Sequence, residues 1–194
     1  MADPSGTNSS SGPSGIAGGD LSGTFPNPNV AKSGGVAIGP AGTAAAGQIP
    51  GTATNDSATA GNIGEYTSIS LAAASAFALS TGVATTILAL PLSAGDWDVW
   101  GQGIIHCGST LTLVTAMTVG ISTASATTLP GLISGAQAQI GLGAGLTNIA
   151  DTGVAVGPAR ISIGSAATAY LVGSFVFATA TASVYGVMQA RRRR

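Results

Sequence analysis

Asp96-Trp97-Asp98-Val99-Trp100-Gly101-Gln102-Gly103-Ile104-Ile105-His106-Cys107 decides the fold class. It follows a turn at Ser93-Ala94-Gly95 and alternates with a period of two. On an extended strand that period places Trp97, Val99, Ile105 and Cys107 on one face. Asp96, Asp98, Trp100 and Gln102 fall on the other. One face is apolar enough for a core, and the other carries the polar groups. The reading makes Trp97 a core residue and Trp100 the better candidate for a contact surface.

The same texture extends in both directions. Leu111, Leu113, Met117, Val119 and Ile121 mark a second alternating strand, and residues 154–163, 168–178 and 182–192 give three more. Weaker strands are predicted near 66–71, 75–80 and 85–92. Gly, Ser and Ala turns separate these runs at the spacing of an all-β sandwich or barrel. Residues 123–150 are rich in Gly, Ala and Thr and read as a long excursion with one irregular strand at most. An excursion of that length is a candidate partner surface.

Composition argues against helices. Only 7% of the 194 residues are charged, Glu65 is the only glutamate and Lys32 the only lysine, so the wet faces of long helices could not be built. Ser and Thr supply the polarity instead, which suits strands and turns. Ile69 to Leu92 and Ala169 to Ala190 have the hydropathy of membrane spans, and Arg191–Arg194 resemble a stop signal. Ser, Thr, Gly and Pro91 interrupt them, and strands buried on both faces give the same hydropathy. No membrane insertion is expected.

Residues 1–63 read as an extended, low-complexity arm, and 64–194 as the β domain. The arm has too little large apolar material to order itself without a partner. Its exception is Gly19-Asp20-Leu21-Ser22-Gly23-Thr24-Phe25-Pro26-Asn27-Pro28-Asn29-Val30. Leu21, Phe25 and Val30 are anchors there, while Pro26 and Pro28 hold the chain extended. The predicted structure is a turn followed by an extended docking segment. The amino-terminal sequence lacks the basic and apolar regions of a signal peptide, so synthesis in the cytoplasm is expected.

No catalytic constellation emerges. His106 is the single histidine, and its neighbours Ile105 and Cys107 point to the opposite strand face. Cys107 is the single cysteine, which excludes an intrachain disulfide. Asp96 and Asp98 share a face and could form a carboxylate pair, but a solvated strand start is the expected reading. Gly141-Leu142-Gly143-Ala144-Gly145 lacks the glycine spacing of a dinucleotide loop. No catalytic residue, cofactor or metal site is therefore expected. Four of six positive charges lie in Arg191–Arg194, and the remaining chain sets Lys32 and Arg160 against seven acids. That leaves no basic stripe for nucleic acid. The arginine run reads either as a solvated tail or as a subunit contact.

Gly19–Val30 resembles the GDLSGTYPNPTV element of phage tail-fibre and appendage proteins, with Phe25 where Tyr is common. Gly64-Glu65-Tyr66, Ala94–Val99, Ala169-Tyr170-Leu171-Val172 and the ending Tyr185–Arg194 are similar to successive landmarks of a phage fibre-tip, head-fibre or capsid-decoration domain. The resemblance spans 19–194. It implies a trimer of antiparallel β-sandwich or jelly-roll-like domains on a virion, contacting other capsid or tail proteins, and it carries over no catalytic residues. The expected role is a non-enzymatic short fibre or decoration subunit. Leu21, Phe25, Pro26, Pro28 and Val30 would make the virion attachment, with Trp100, Arg191 and Arg192 at the subunit interface. The alternative is a host-recognition fibre tip that binds a cell-surface glycan or protein.

Overall fold

The computed structural model describes residues 15–25, 27–30, 32–33, 36–37, 57–108, 113–126, 136–146, 151–178 and 181–193. Pro26, Leu111 and Arg194 lie outside the described residues. The chain divides into two units, Met1–Asp56 and Ser57–Arg194.

In the first unit, β1 (Leu21–Ser22) pairs antiparallel with β2 (Asn29–Val30), setting Leu21 opposite Val30. The Gly19–Val30 island is thus a small hairpin. Ahead of it, the Ala17 amide donates to the Gly23 carbonyl at 3.0 Å and the Phe25 amide to the Gly15 carbonyl at 3.1 Å. A second short ribbon joins β3 (Lys32–Ser33) to β4 (Val36–Ala37).

The second unit starts at Ser57 rather than at the expected residue 64, because 57–63 are tied to the first sheet residues. Ser57 Oγ accepts from the Tyr66 amide at 2.8 Å, and Glu65 accepts from the Gly61 amide at 2.8 Å. The strands that follow are β5 (Tyr66–Leu71), β6 (Phe77–Ala78), β7 (Thr85–Leu92), β8 (Gly95–Cys107) and β9 (Leu113–Ser122). They continue with β10 (Gln137–Leu146), β11 (Asp151–Ile163), β12 (Ala167–Ala178) and β13 (Ala182–Arg192). A single 3-10 turn at Ala73–Ser75 is the one helical element among the described residues. The described residues of both stretches with membrane-like hydropathy form strands and turns, and no described helix is long and apolar enough to cross a membrane.

One sheet has the order β10-β9-β12-β7, and the other β11-β8-β13-β5 with β6 also on β13. All the pairings are antiparallel. With β6 set aside as an accessory strand, the remaining eight alternate between the sheets, except that β9 and β10 are neighbours in one sheet. That is the order of a jelly roll, two Greek keys wrapped around one core. The sequence reading of an antiparallel sandwich or jelly roll is the observed architecture.

The core lies between the sheets. Trp97, Val99 and Ile105 of β8 and Val184 and Met188 of β13 meet Met117, Val119 and Ile121 of β9 and Leu171 and Phe175 of β12. Small residues in one sheet receive large ones from the other. A Cβ on Gly103 would come within 2.8 Å of Ile87 Cδ1 and 3.1 Å of Val119 Cγ2, so glycine is what lets those side chains seat. Pro91 sits in β7 and Pro158 in β11, both at sheet edges, where a missing amide donor is tolerated.

The stretch 123–150 holds more order than its composition suggests. Gln137–Leu146 is an edge strand paired with β9, with a register shift between Gly141 and Leu146. It completes the four-stranded sheet.

Candidate functional site

The outward face of β8 presents Asp98, Trp100, Gln102, Ile104 and His106. Opposite them in register on β13 stand Arg191, Gln189, Val187, Tyr185 and Ser183. These side chains cover the outside of the second sheet and remain partly exposed.

Trp100 anchors one end of this face. Its indole Nε1 donates to Gln189 Oε1 at 2.6 Å. The Tyr66 ring lies 6.4 Å away, tilted by 45°, within the range of favourable aromatic pairs. Beside Trp100, β11 bulges. Its register with β8 shifts between Val156 and Ala159, and Gly157 has φ +107°. A Cβ there would fall 2.7 Å from Trp100 Cβ, so only glycine lets this strand cross so close. The bulge raises Pro158 into one wall of a cavity of about 440 Å³, lined also by Asp98, Trp100, Ala155 and Arg191. The lining is mostly apolar, with a carboxylate and a guanidinium at its rim.

Arginines crowd the same end. Arg160 makes a fork to Asp96, Nε to Oδ1 at 2.9 Å and Nη2 to Oδ2 at 2.8 Å. Hydrogen bonding to Asp96, then the charge of that carboxylate, pushes the Arg160 pKa above its ordinary value. Asp96 is buried, which corrects the expectation of a solvated strand start. The reason is the diagonal reach of Arg160 across β11 and β8, from 64 residues away in sequence. Asp98 instead faces Arg193 at 3.5 Å. Each carboxylate has its own arginine, so the two do not form a proton-sharing pair. Arg191 is exposed and makes no ion pair among the described residues.

Arg192, expected with Trp100 and Arg191 at a subunit contact, is only 5% exposed. Its Nε donates to Glu65 at 2.8 Å, Nη1 to the Ala94 carbonyl at 2.8 Å and Nη2 to Ser93 Oγ at 2.6 Å. Its guanidinium lies 4.4 Å from the centre of the Trp97 ring. The inward turn of every second residue on β13 takes Arg192 into the end of the sandwich, where these contacts bury it. The Gly61 amide, and then Arg192, hold the Glu65 carboxyl below its ordinary range, against the upward push of burial.

At the opposite end of the face, His106 Nδ1 lies 2.9 Å from Asp151 Oδ1. Ser183 stands across from His106 on β13. The row Ser183-His106-Asp151 has the residue types of a hydrolytic triad, but Ser183 makes no hydrogen bond to His106. Burial, followed by the Asp151 charge, raises the pKa of the Tyr185 hydroxyl and of the Cys107 thiol. The thiol therefore stays protonated at neutral pH, which is the wrong state for a nucleophile. Among the described residues no three His, Cys, Asp or Glu side chains gather where a metal could be held.

The expected attachment residues divide by exposure. Leu21, Phe25 and Pro28 are half-buried, and Val30 is 66% exposed. The sequence reading expected Trp100 and Arg191 at a subunit contact and missed the wall that Pro158 sets beside them. The cue was Gly157-Pro158 within an otherwise alternating run, a pair that marks a bulge.

No protein-family model and no curated protein matches the chain. Among solved structures the chain is similar to VP2 of infectious bursal disease virus in a subviral particle. The identity is 16% and the TM-score 0.42, over 66% of this chain and 32% of that one. A structure of the Gt strain of the same virus gives 15% identity and a TM-score of 0.42 over the same shares. The chain spans about a third of the length of these structures.

Proposed function

We propose that this protein is a non-enzymatic structural subunit of a phage virion, a short fibre or capsid-decoration protein that works as a homotrimer. Its amino-terminal arm anchors it to other virion proteins, and its jelly roll is displayed. A fold alone does not assign a function, and jelly rolls serve in capsids and in lectins alike. The observation that carries the reading is the arm. The island that resembles the phage attachment element forms its own hairpin, in a unit separate from the jelly roll. It offers Leu21, Phe25 and Val30 to a partner without drawing on the jelly-roll core.

Deleting residues 1–35 tests this. The truncated protein should keep its thermal melt, because no residue of the sandwich core or packed against it precedes Ile69, and should fail to join particles assembled in its presence. Incorporation at the wild-type level would move the anchoring role elsewhere. Electron microscopy of intact particles would then distinguish a capsid position from a tail position.

A further inference from the structure

We infer that the cavity beside Trp100 is a binding site for a saccharide that carries a carboxylate. The inference goes beyond the structural role and does not depend on which virion surface the protein occupies.

The chemistry of the cavity selects the ligand class. Its volume of about 440 Å³ falls in the roughly 300–1,000 Å³ range of small-molecule sites. The floor is Trp100, held by its bond to Gln189 and braced by Tyr66. Pro158 and Ala155 form an apolar side, and Asp98 and Arg191 stand at the rim. A sugar ring matches this arrangement, with a C–H face for the aromatic floor and hydroxyls at its edge for the charged rim. A purely apolar ligand would leave the Arg191 guanidinium without a partner.

Charge narrows the class further. Arg191 and Asp98 are the charged groups of the lining, and Arg193 and Arg160 stand at the carboxylates of Asp98 and Asp96. Arg160 is held by Asp96 and Arg193 faces Asp98, which leaves Arg191, among the described residues of the lining, as the cation open to a ligand. A guanidinium offers a planar fork that fits a carboxylate in two parallel hydrogen bonds. Asp98 would accept from a sugar hydroxyl. The fixed bulge at Gly157 and the Trp100–Gln189 bond keep the floor in place before binding, which lowers the ordering cost of association.

Titration of the full chain with tri-galacturonate and with maltotriose, followed by tryptophan fluorescence and calorimetry, tests the site. Trp97 is buried, so a fluorescence response reports on Trp100. Tri-galacturonate should bind with a Kd of about 1 mM or tighter, and maltotriose about tenfold more weakly. Arg191→Gln should erase the preference for the acidic sugar, and Trp100→Leu should remove binding of both. Ala155→Phe should block the cavity while Trp100 stays in place, which separates occlusion from a folding defect. Equal binding of the two sugars, no binding by either, or binding indifferent to Trp100→Leu and Ala155→Phe would overturn the site. Light scattering of the same variants adds a second readout. If Trp100→Leu or Ala155→Phe lowers the oligomer mass, the cavity is a contact with a second copy of the chain and the saccharide site is refuted. Particle incorporation by Ala155→Phe should be unchanged whatever the sugar result, so failure of this site and failure of the structural role remain distinguishable.

Discussion

Trp97 and Trp100 are three residues apart on one strand and have opposite fates, because the strand period sends them to different faces. Trp97 is 1% exposed, and its Nε1 donates to the Ser93 carbonyl at 3.0 Å. Trp97→Ala should cost about 3–5 kcal/mol, the usual range for truncating a buried aromatic. Against a total stability of roughly 5–15 kcal/mol, that yields insoluble or strongly destabilised protein. Trp100→Ala should melt within a few degrees of wild type, since its ring is only half-buried. Thermal melts of the two variants check the facing of the strand, and a reversed outcome would invert it. Glu65 gives a prediction in pH. Its folded pKa lies below the ordinary 4.5, so its contribution is complete above about pH 4.5 and is lost as pH falls through the folded value. Glu65→Gln should leave the buried Arg192 guanidinium short of a charged partner. The cost at neutral pH should be about 1–3 kcal/mol, with a shallower acid limb in the pH–stability curve. An acid limb as steep as that of wild type would mean that another carboxylate governs it.

The strands themselves divide by how well their sequences announce them. β8 and β13 alternate strongly, and the spacing of strand and turn signals already implied a sandwich or barrel. The edge strand β10 did not stand out, because Gly, Ala and Gln replace the β-branched residues that usually signal a strand. Ala138, Ile140 and Leu142 do alternate within it, so the period was present and the composition masked it. Pairings between distant strands left no local trace at all. Arg160 meets Asp96 only because β11 lies beside β8, and Arg192 reaches Ser93 and Ala94 only because β13 lies on the other side of β8. The candidate site was therefore legible as single residues and hidden as a cavity. Two glycine substitutions test the strand packing. Gly103→Ala would force its methyl against Ile87 and Val119 and should cost about 1–3 kcal/mol through overpacking. Gly141→Ala on β10 meets nothing within 4 Å and should be neutral or slightly stabilising. Chemical denaturation of both variants would show it, and equal midpoints would contradict the tight approach of the two sheets at Gly103.

For the whole molecule, the expected trimer needs an exposed surface that a neighbouring copy can bury. A three-fold assembly uses heterologous contacts, so each subunit presents a patch to a different patch on the next. The outer side of the first sheet is closed along much of its middle, where Thr118, Ser122 and Val172 are buried. Two exposed apolar residues stand by the start of β7 and on β12. Val176 on β12 is 42% exposed, and Val83 lies in the turn that leads into β7. Thr81 and Gly82 bind that turn to the same stretch of β12. The Thr81 hydroxyl donates to the Phe177 carbonyl at 2.8 Å, and the Gly82 amide donates to the Phe175 carbonyl at 2.9 Å. Two large apolar side chains on a hydrogen-bonded corner form a compact, ordered patch that a neighbour could cover at little ordering cost. Light scattering of the full chain at micromolar concentration should give about three times the 18.5 kDa chain mass. Val83→Ser combined with Val176→Glu should lower that mass toward the monomer. The melt should stay near the wild-type value, because neither side chain belongs to the core between the sheets. A variant that remains trimeric would exclude this corner from the contact. A wild-type chain that stays monomeric and soluble would remove the trimer from the proposed function and leave the arm to act from a single subunit.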